Sequence, residues 1–271
     1  MRRDKQAIVL GFACVLAVGL QASAAWAHFI WIETPAETAP KKPQPVALYF
    51  GEYQEFLREE AGGRLDSVDG VKVWVLDPKG TRQALPLEKK TNHFLGGLNS
   101  SCLPGRYHVT AENTEAEVQD LTKYNLGIVK PQFYARSQFV CVEATRLREQ
   151  EKEIEQVSEL DIIPLTKSIN LVTGELAPRP GSEVVVQVSF KKQPLPSTAL
   201  LVHSPLGWDK EVRTDSQGVA SFTPLWPGHY VLELVHVEKV PGEFKGKPYN
   251  AVRHRATTTI EVRGPKTVAE K

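Results

Sequence analysis

The chain has little of several things. It contains one methionine and three cysteines, and neither sign of charge is in excess: 33 Lys and Arg stand against 32 Asp and Glu in 271 residues, a net charge of +1. A protein that neutralises phosphates needs a basic surplus, so nucleic acid is excluded as a partner, as is a basic membrane-surface role. Also absent are a phosphate-cradling Gly-rich loop, a G-x-S-x-G elbow, an H-E-x-x-H pair and a C-x-x-C pair. These absences argue against most hydrolase and nucleotide-enzyme chemistries. What is present is ordinary globular composition, 41% hydrophobic and 24% charged, which excludes collagen-like, coiled-coil and wholly disordered chains.

The N-terminus reads as an export signal. Arg2, Arg3 and Lys5 precede an apolar run from Ala7 to Leu20, and Ala25-Trp26-Ala27 supplies an A-x-A cleavage site. The run is shorter than the roughly 20 residues that span a bilayer, and no later stretch reaches that length. Cleavage after Ala27 predicts a periplasmic chain beginning at His28, with 30 basic and 31 acidic residues. Two cysteines then remain, Cys102 and Cys141, either joined as a disulfide in an oxidising compartment or kept as two buried thiols.

Nineteen Gly and nineteen Pro, spread along the chain, point to short strands joined by turns. Leu103-Pro104-Gly105-Arg106-Tyr107 recurs as Trp226-Pro227-Gly228-His229-Tyr230. The runs Val73–Gly80 and Leu200–Gly207 lie upstream at closely similar offsets, so one supersecondary unit is used twice. Alternating or β-branched runs at 184–190, 230–237 and 257–262 read as strands, and Asp215-Ser216-Gln217-Gly218 reads as a hairpin turn. The fold expected is all-β: two tandem immunoglobulin- or transthyretin-like β-sandwiches, 28–145 and 160–264. A charged linker at 146–159 separates them, with a signal peptide at 1–27 and a tail at 265–271.

Histidine is the remaining source of chemistry. His28 gains a free α-amine on cleavage, and amine plus Nδ1 can chelate one metal, with imidazole suited to nickel, copper and zinc. With a period of two, His236 shares a face with Leu234 and Glu238. His254 opens the last strand and can neighbour His236, and His203 ends an earlier strand of the same unit. His93 and His108 in the first unit carry no further signal, and His229 alternates away from His236. The metal ligands expected are His28, His236, His254 and Glu238, with neutral imidazoles that lose metal as pH falls through about 6.5. A second reading uses Trp31, Trp74, Trp208 and Trp226, with Tyr49, Tyr53 and Tyr249, as a sugar-binding or adhesion platform. A third is a copper oxidase built on a histidine brace at His28.

Several of these segments together resemble a family of exported bacterial proteins of unknown function associated with periplasmic nickel or cobalt uptake. They are His28-Phe29-Ile30-Trp31-Ile32-Glu33, Leu48-Tyr49-Phe50-Gly51-Glu52, Arg179-Pro180-Gly181-Ser182, Thr214–Gly218, Pro227-Gly228-His229-Tyr230 leading to His236, and Arg253-His254-Arg255-Ala256-Thr257. The Asp-x-x-Gly turn and Pro-Gly-x-Tyr strand also resemble transthyretin-like and carboxypeptidase-regulatory-like sandwiches. The resemblance implies a divalent-metal role in the periplasm; taken with the histidines, the expectation is a non-enzymatic protein that binds nickel, cobalt or copper, with a membrane metal transporter as partner. It carries over His28 and His236 alone; His254 is inferred from strand adjacency.

Overall fold

The alternation that predicts strands is realised in a computed structural model, which describes residues 28–98, 102–142, 156–165 and 177–264. Its regular elements are strands and three short 3-10 turns. The signal segment, most of the charged linker and the tail lie outside the described residues.

A ten-stranded sheet runs through the molecule. Its two central strands, Ile128–Cys141 and Ala251–Val262, are parallel, with Phe133 opposite Arg255 and Tyr134 opposite Ala256. Antiparallel Gly105–Asn113 and Lys72–Leu76 extend it on one side. Gly228–Glu238, Ala199–His203 and Asp209–Arg213 extend it on the other. Successive side chains of a strand point to opposite faces, so Phe133, Ala135 and Phe139 enter one core while Tyr134 enters a second. The first core is closed by the sheet containing Phe29–Glu33, Gln44–Glu52 and Phe94–Leu98. The second is closed by Leu160–Pro164, Val184–Phe190 and Val219–Phe222. The two sandwiches expected in tandem therefore share one sheet, and both cores are built from Phe29 onward.

The strand Ala251–Val262 is covered on both faces, which its sequence does not advertise: Arg253, His254, Arg255, Thr257, Thr258 and Thr259 are all buried. Buried hydroxyls cost free energy unless bonded. Thr257 Oγ1 donates to the Ile30 carbonyl at 2.7 Å on the first face, and Thr258 Oγ1 donates to the Ile162 carbonyl at 2.5 Å on the second.

The internal repeat is visible atom by atom. Gly105 and Gly228 have φ of +133° and +131°, and a Cβ at either would lie 2.8 or 2.7 Å from Cβ of Pro78 or Pro205. Tyr107 Oη accepts the Leu103 N–H at 2.7 Å, and Tyr230 Oη accepts the N–H groups of Leu225 and Trp226 at 3.1 Å each. Asp77 Oδ1 and Ser204 Oγ cap the equivalent upstream turns.

The Asp215–Gly218 turn forms, with Gly218 at φ +72° and Asp215 Oδ1 accepting the Gln217 and Val219 N–H groups. It is not a hairpin, however. Asp209–Arg213 pairs with Ala199–His203, and Val219–Phe222 pairs with Val184–Phe190, so the turn carries the chain from one sheet to the other. Cys102 and Cys141 form a disulfide with Cα atoms 6.1 Å apart.

Candidate functional site

His236 and His254 are directly opposite on neighbouring antiparallel strands. Both share the second-core face with Leu234 and Glu238, as the period of two requires. Their ring centroids are 6.3 Å apart, and the Phe190 ring lies 4.4 Å from His236 and 4.9 Å from His254. His254 is 1% exposed. Its Nδ1 lies 3.1 Å from Tyr134 Oη, and Tyr134 donates its own proton to Gln132 Oε1 at 2.5 Å. Tyr134 therefore accepts from His254 Nδ1–H, which leaves the lone pair on Nε2. That nitrogen is buried and has no hydrogen-bond partner. Glu238 Oε2 stands 3.5 Å from it, within ion-pair reach but not aligned as a hydrogen bond, and the other Glu238 oxygen binds Lys191 Nζ at 2.6 Å. Burial pushes the His254 pKa down to about 4 against the opposing pull of Glu238, and burial lowers His236 as well.

His28 is elsewhere. It immediately precedes the strand Phe29–Glu33, which packs on the first face of Ala251–Val262, whereas His254 points from the second face. Glu52 is 3.2 Å from His28 Nδ1 and Glu59 contacts Nε2, with Arg64 at 3.2 Å and the Phe50 ring at 5.4 Å. None of these contacts is a histidine, so the pair needed for a brace is not assembled around His28. The two carboxylates come from the ends of a short hairpin in which Glu52 pairs with Leu57. Gly51-Glu52 belongs to one of the motif segments, but nothing local in the sequence ties Glu59 to His28.

His203 also faces the first side. Its Nδ1 meets Asp209 at 2.8 Å and its Nε2 meets Glu233 at 3.0 Å, while Arg255 Nε donates to Glu233 at 2.7 Å. Burial disfavours the imidazolium, yet the two carboxylates overcome it and raise the His203 pKa to about 9. Burial likewise opposes ionised Glu233, but Arg255 and His203 hold it at about 2. Phe29 stacks on His203 with centroids 5.8 Å apart, and the Arg255 guanidinium lies 4.8 Å from the Phe29 centroid. This network is a buried charge cluster that fastens the first strand to the second sandwich.

The tryptophans do not share a plane. Trp31 is buried, stacked on Tyr49 and bonded to Glu33; Trp74 lies under Arg82; Trp208 and Trp226 meet edge-on at 72°. Among the described residues no group of three or more His, Cys, Asp or Glu side chains is arranged to hold a metal ion as it stands. Three of the four expected ligands, His236, His254 and Glu238, are nonetheless neighbours, and His28 is apart from them. The donor types fit nickel, cobalt or copper, as does the orphaned lone pair on His254 Nε2.

No curated protein matches the sequence. Among solved structures, similarity extends to a DUF4785 family protein from Legionella pneumophila (12% identity, 85% of this chain, TM-score 0.28), of which this chain spans 55%. It extends also to fibronectin(III)-like modules of CbhA from Clostridium thermocellum (9% identity, 90% of this chain and 98% of that one, TM-score 0.22). A third is the BSP domain of a biofilm-associated protein (11% identity, 88% and 30%, TM-score 0.23). A family profile described as a domain of unknown function, DUF4198, matches residues 25–238, and the chain belongs to that family.

Proposed function

We propose that this is an exported protein that binds a divalent transition metal (nickel, cobalt or copper) and supports its uptake or homeostasis, with His254, His236 and Glu238 as the first donors. One observation carries the reading: the His254 Nε2 lone pair is fixed by Tyr134, buried, unpartnered, and set 3.5 Å from a carboxylate oxygen. Two acceptors facing each other across that gap leave a place for a cation. Metal-ligating histidines commonly give their other N–H to a fixed partner, the part Tyr134 plays here. Glu238 would hold the metal through Oε2 while Oε1 keeps its bond to Lys191, and Phe190 shields one side of the pair. His28 supports a second contact through its α-amine and imidazole only if Glu52 or Glu59 releases a ring nitrogen.

Titration of the chain beginning at His28 with nickel, cobalt, copper and zinc tests this. Affinity that falls in His236→Ala and Glu238→Gln, with thermal midpoints retained, supports the assignment. An alanine inserted before His28 removes the terminal amine from the chelate, so affinity lost in that variant alone moves the site to the N-terminus. Equal affinity in all variants sinks the metal reading for both places.

A further inference from the structure

Arg253 is 6% exposed, yet among the described residues it makes no hydrogen bond and no ion pair. Its Nε is enclosed without an acceptor; Nη1 and Nη2 also lack a protein acceptor but are not enclosed. The neighbours explain why nothing meets it. Side chains alternate along a strand, so Arg253 lies on the first face with Arg255 and Thr257. Across the sheet it stands opposite Pro131 on one side and Val237 on the other, and neither side chain can accept a hydrogen bond. Glu233, the carboxylate whose field reaches Arg253, is already bonded to Arg255 and His203. Burial and the Arg255 charge pull the Arg253 pKa down to about 10, which leaves the guanidinium charged at neutral pH.

This face is therefore short of a negative charge. Arg253, Arg255 and protonated His203 stand against Glu233 inside and Asp209 at the rim. Removing a charge from water without a counter-charge is costly, and an anion that reaches it offsets that cost. The approach is open, since Val237, directly opposite Arg253, is 40% exposed. A guanidinium fork matches a planar carboxylate through two parallel bonds. One surplus cation calls for a monoanion: a phosphate dianion would overcompensate it, and Pro131 and Val237 offer its remaining oxygens no side-chain donor. The same two side chains suit a hydrocarbon tail. We propose that Arg253 is the binding site of a small monocarboxylate, held end-on by Nη1 and Nη2 with its apolar part against Val237 and Pro131. The site lies on the opposite face of the strand from His254, so it stands or falls separately from metal binding.

Titration of the chain beginning at His28 with acetate, butyrate, phosphate and chloride at constant ionic strength tests the proposal; that chain contains every residue of both cores. The readouts are the Arg253 Nε–H magnetic resonance signal and the thermal midpoint. The expected result is a saturable shift of the signal with acetate, at least as tight with butyrate, and at least about tenfold weaker with phosphate or chloride. Arg253→Met abolishes the rise in midpoint with carboxylate. In chloride alone its midpoint is no lower than the parent's, because the substitution removes a buried charge that has no partner, whereas an arginine held by the protein would be missed. If Arg253→Met does not fold, the signal in the parent decides, since it reads the guanidinium itself. No saturable shift with either carboxylate overturns the proposal, as does an equal response to chloride or in Arg253→Met. Phosphate binding tighter than acetate also overturns it and assigns the guanidinium to a phosphate-type ligand.

Discussion

Glu233 and His203 meet 3.0 Å apart in the interior, and both are charged there because Arg255 and Asp209 complete the chain of partners. The first strand depends on this arrangement, since Phe29 packs against both His203 and Arg255. Replacing Glu233 with Gln removes the buried carboxylate that Arg255 and His203 share. The expected loss is about 3–5 kcal/mol of folding stability, read by chemical denaturation. A loss within experimental error shows that the cluster contributes no more than a neutral core.

The same pair sets a pH window. The pKa of His203 is raised from 6.5 to about 9, so its contribution is whole below pH 6.5 and is lost as pH rises through 9. For Glu233 the pKa falls from 4.5 to about 2, so its contribution is whole above pH 4.5 and is lost as pH falls toward 2. The cluster is therefore strongest between about pH 4.5 and 6.5. Stability measured across pH in the parent and in His203→Gln separates the alkaline limb: the parent declines above neutrality more steeply than the variant. Parallel curves contradict the assignment.

The two Pro-Gly corners predict matched damage. Gly105→Ala and Gly228→Ala each place a Cβ against a proline ring at a φ that side chains rarely adopt. Tyr107→Phe removes one hydrogen bond and Tyr230→Phe removes two, for losses of about 1 and about 2 kcal/mol. Thermal denaturation of the four variants checks this, and a neutral Tyr230→Phe would show that the corner is held by packing alone.

The disulfide closes 39 residues of chain. Chain entropy assigns such a loop about 4 kcal/mol, so the double variant Cys102→Ala, Cys141→Ala should unfold at markedly lower denaturant. Comparison with the reduced parent distinguishes loss of the link from loss of the sulfur packing; no change in either removes the disulfide from the account of stability.

Local pattern made part of this legible. Alternation placed His236, Leu234 and Glu238 on one face, and the repeated Pro-Gly-x-Tyr segment marked the same corner in both halves. Pairing between distant segments was not legible. Nothing near Arg253-His254-Arg255 or Thr257-Thr258-Thr259 reveals a strand buried on both faces, because the partners of Arg255, Thr257 and Thr258 are Glu233, Ile30 and Ile162, remote in the sequence. The parallel pairing with Ile128–Cys141, which fuses the sandwiches, has no local signature either. For the same reason residue type groups His28 with His236, and only the faces of the shared sheet separate the two.

Tyr134 offers a test that leaves every donor atom in place. In the metal-binding reading it fixes the His254 tautomer through Nδ1. Tyr134→Phe should weaken binding by about 10- to 100-fold, as measured by metal titration at constant pH, while an unchanged affinity would detach the tyrosine from the site.

The most direct measurement is calorimetric titration of nickel, cobalt and copper into the chain beginning at His28, with His236→Ala run beside it. The account predicts one-to-one binding in the parent, lost in the variant at an unchanged thermal midpoint, because the His254 lone pair then faces Glu238 without its cross-strand neighbour. Absence of binding in the parent, or full binding in the variant, would contradict it.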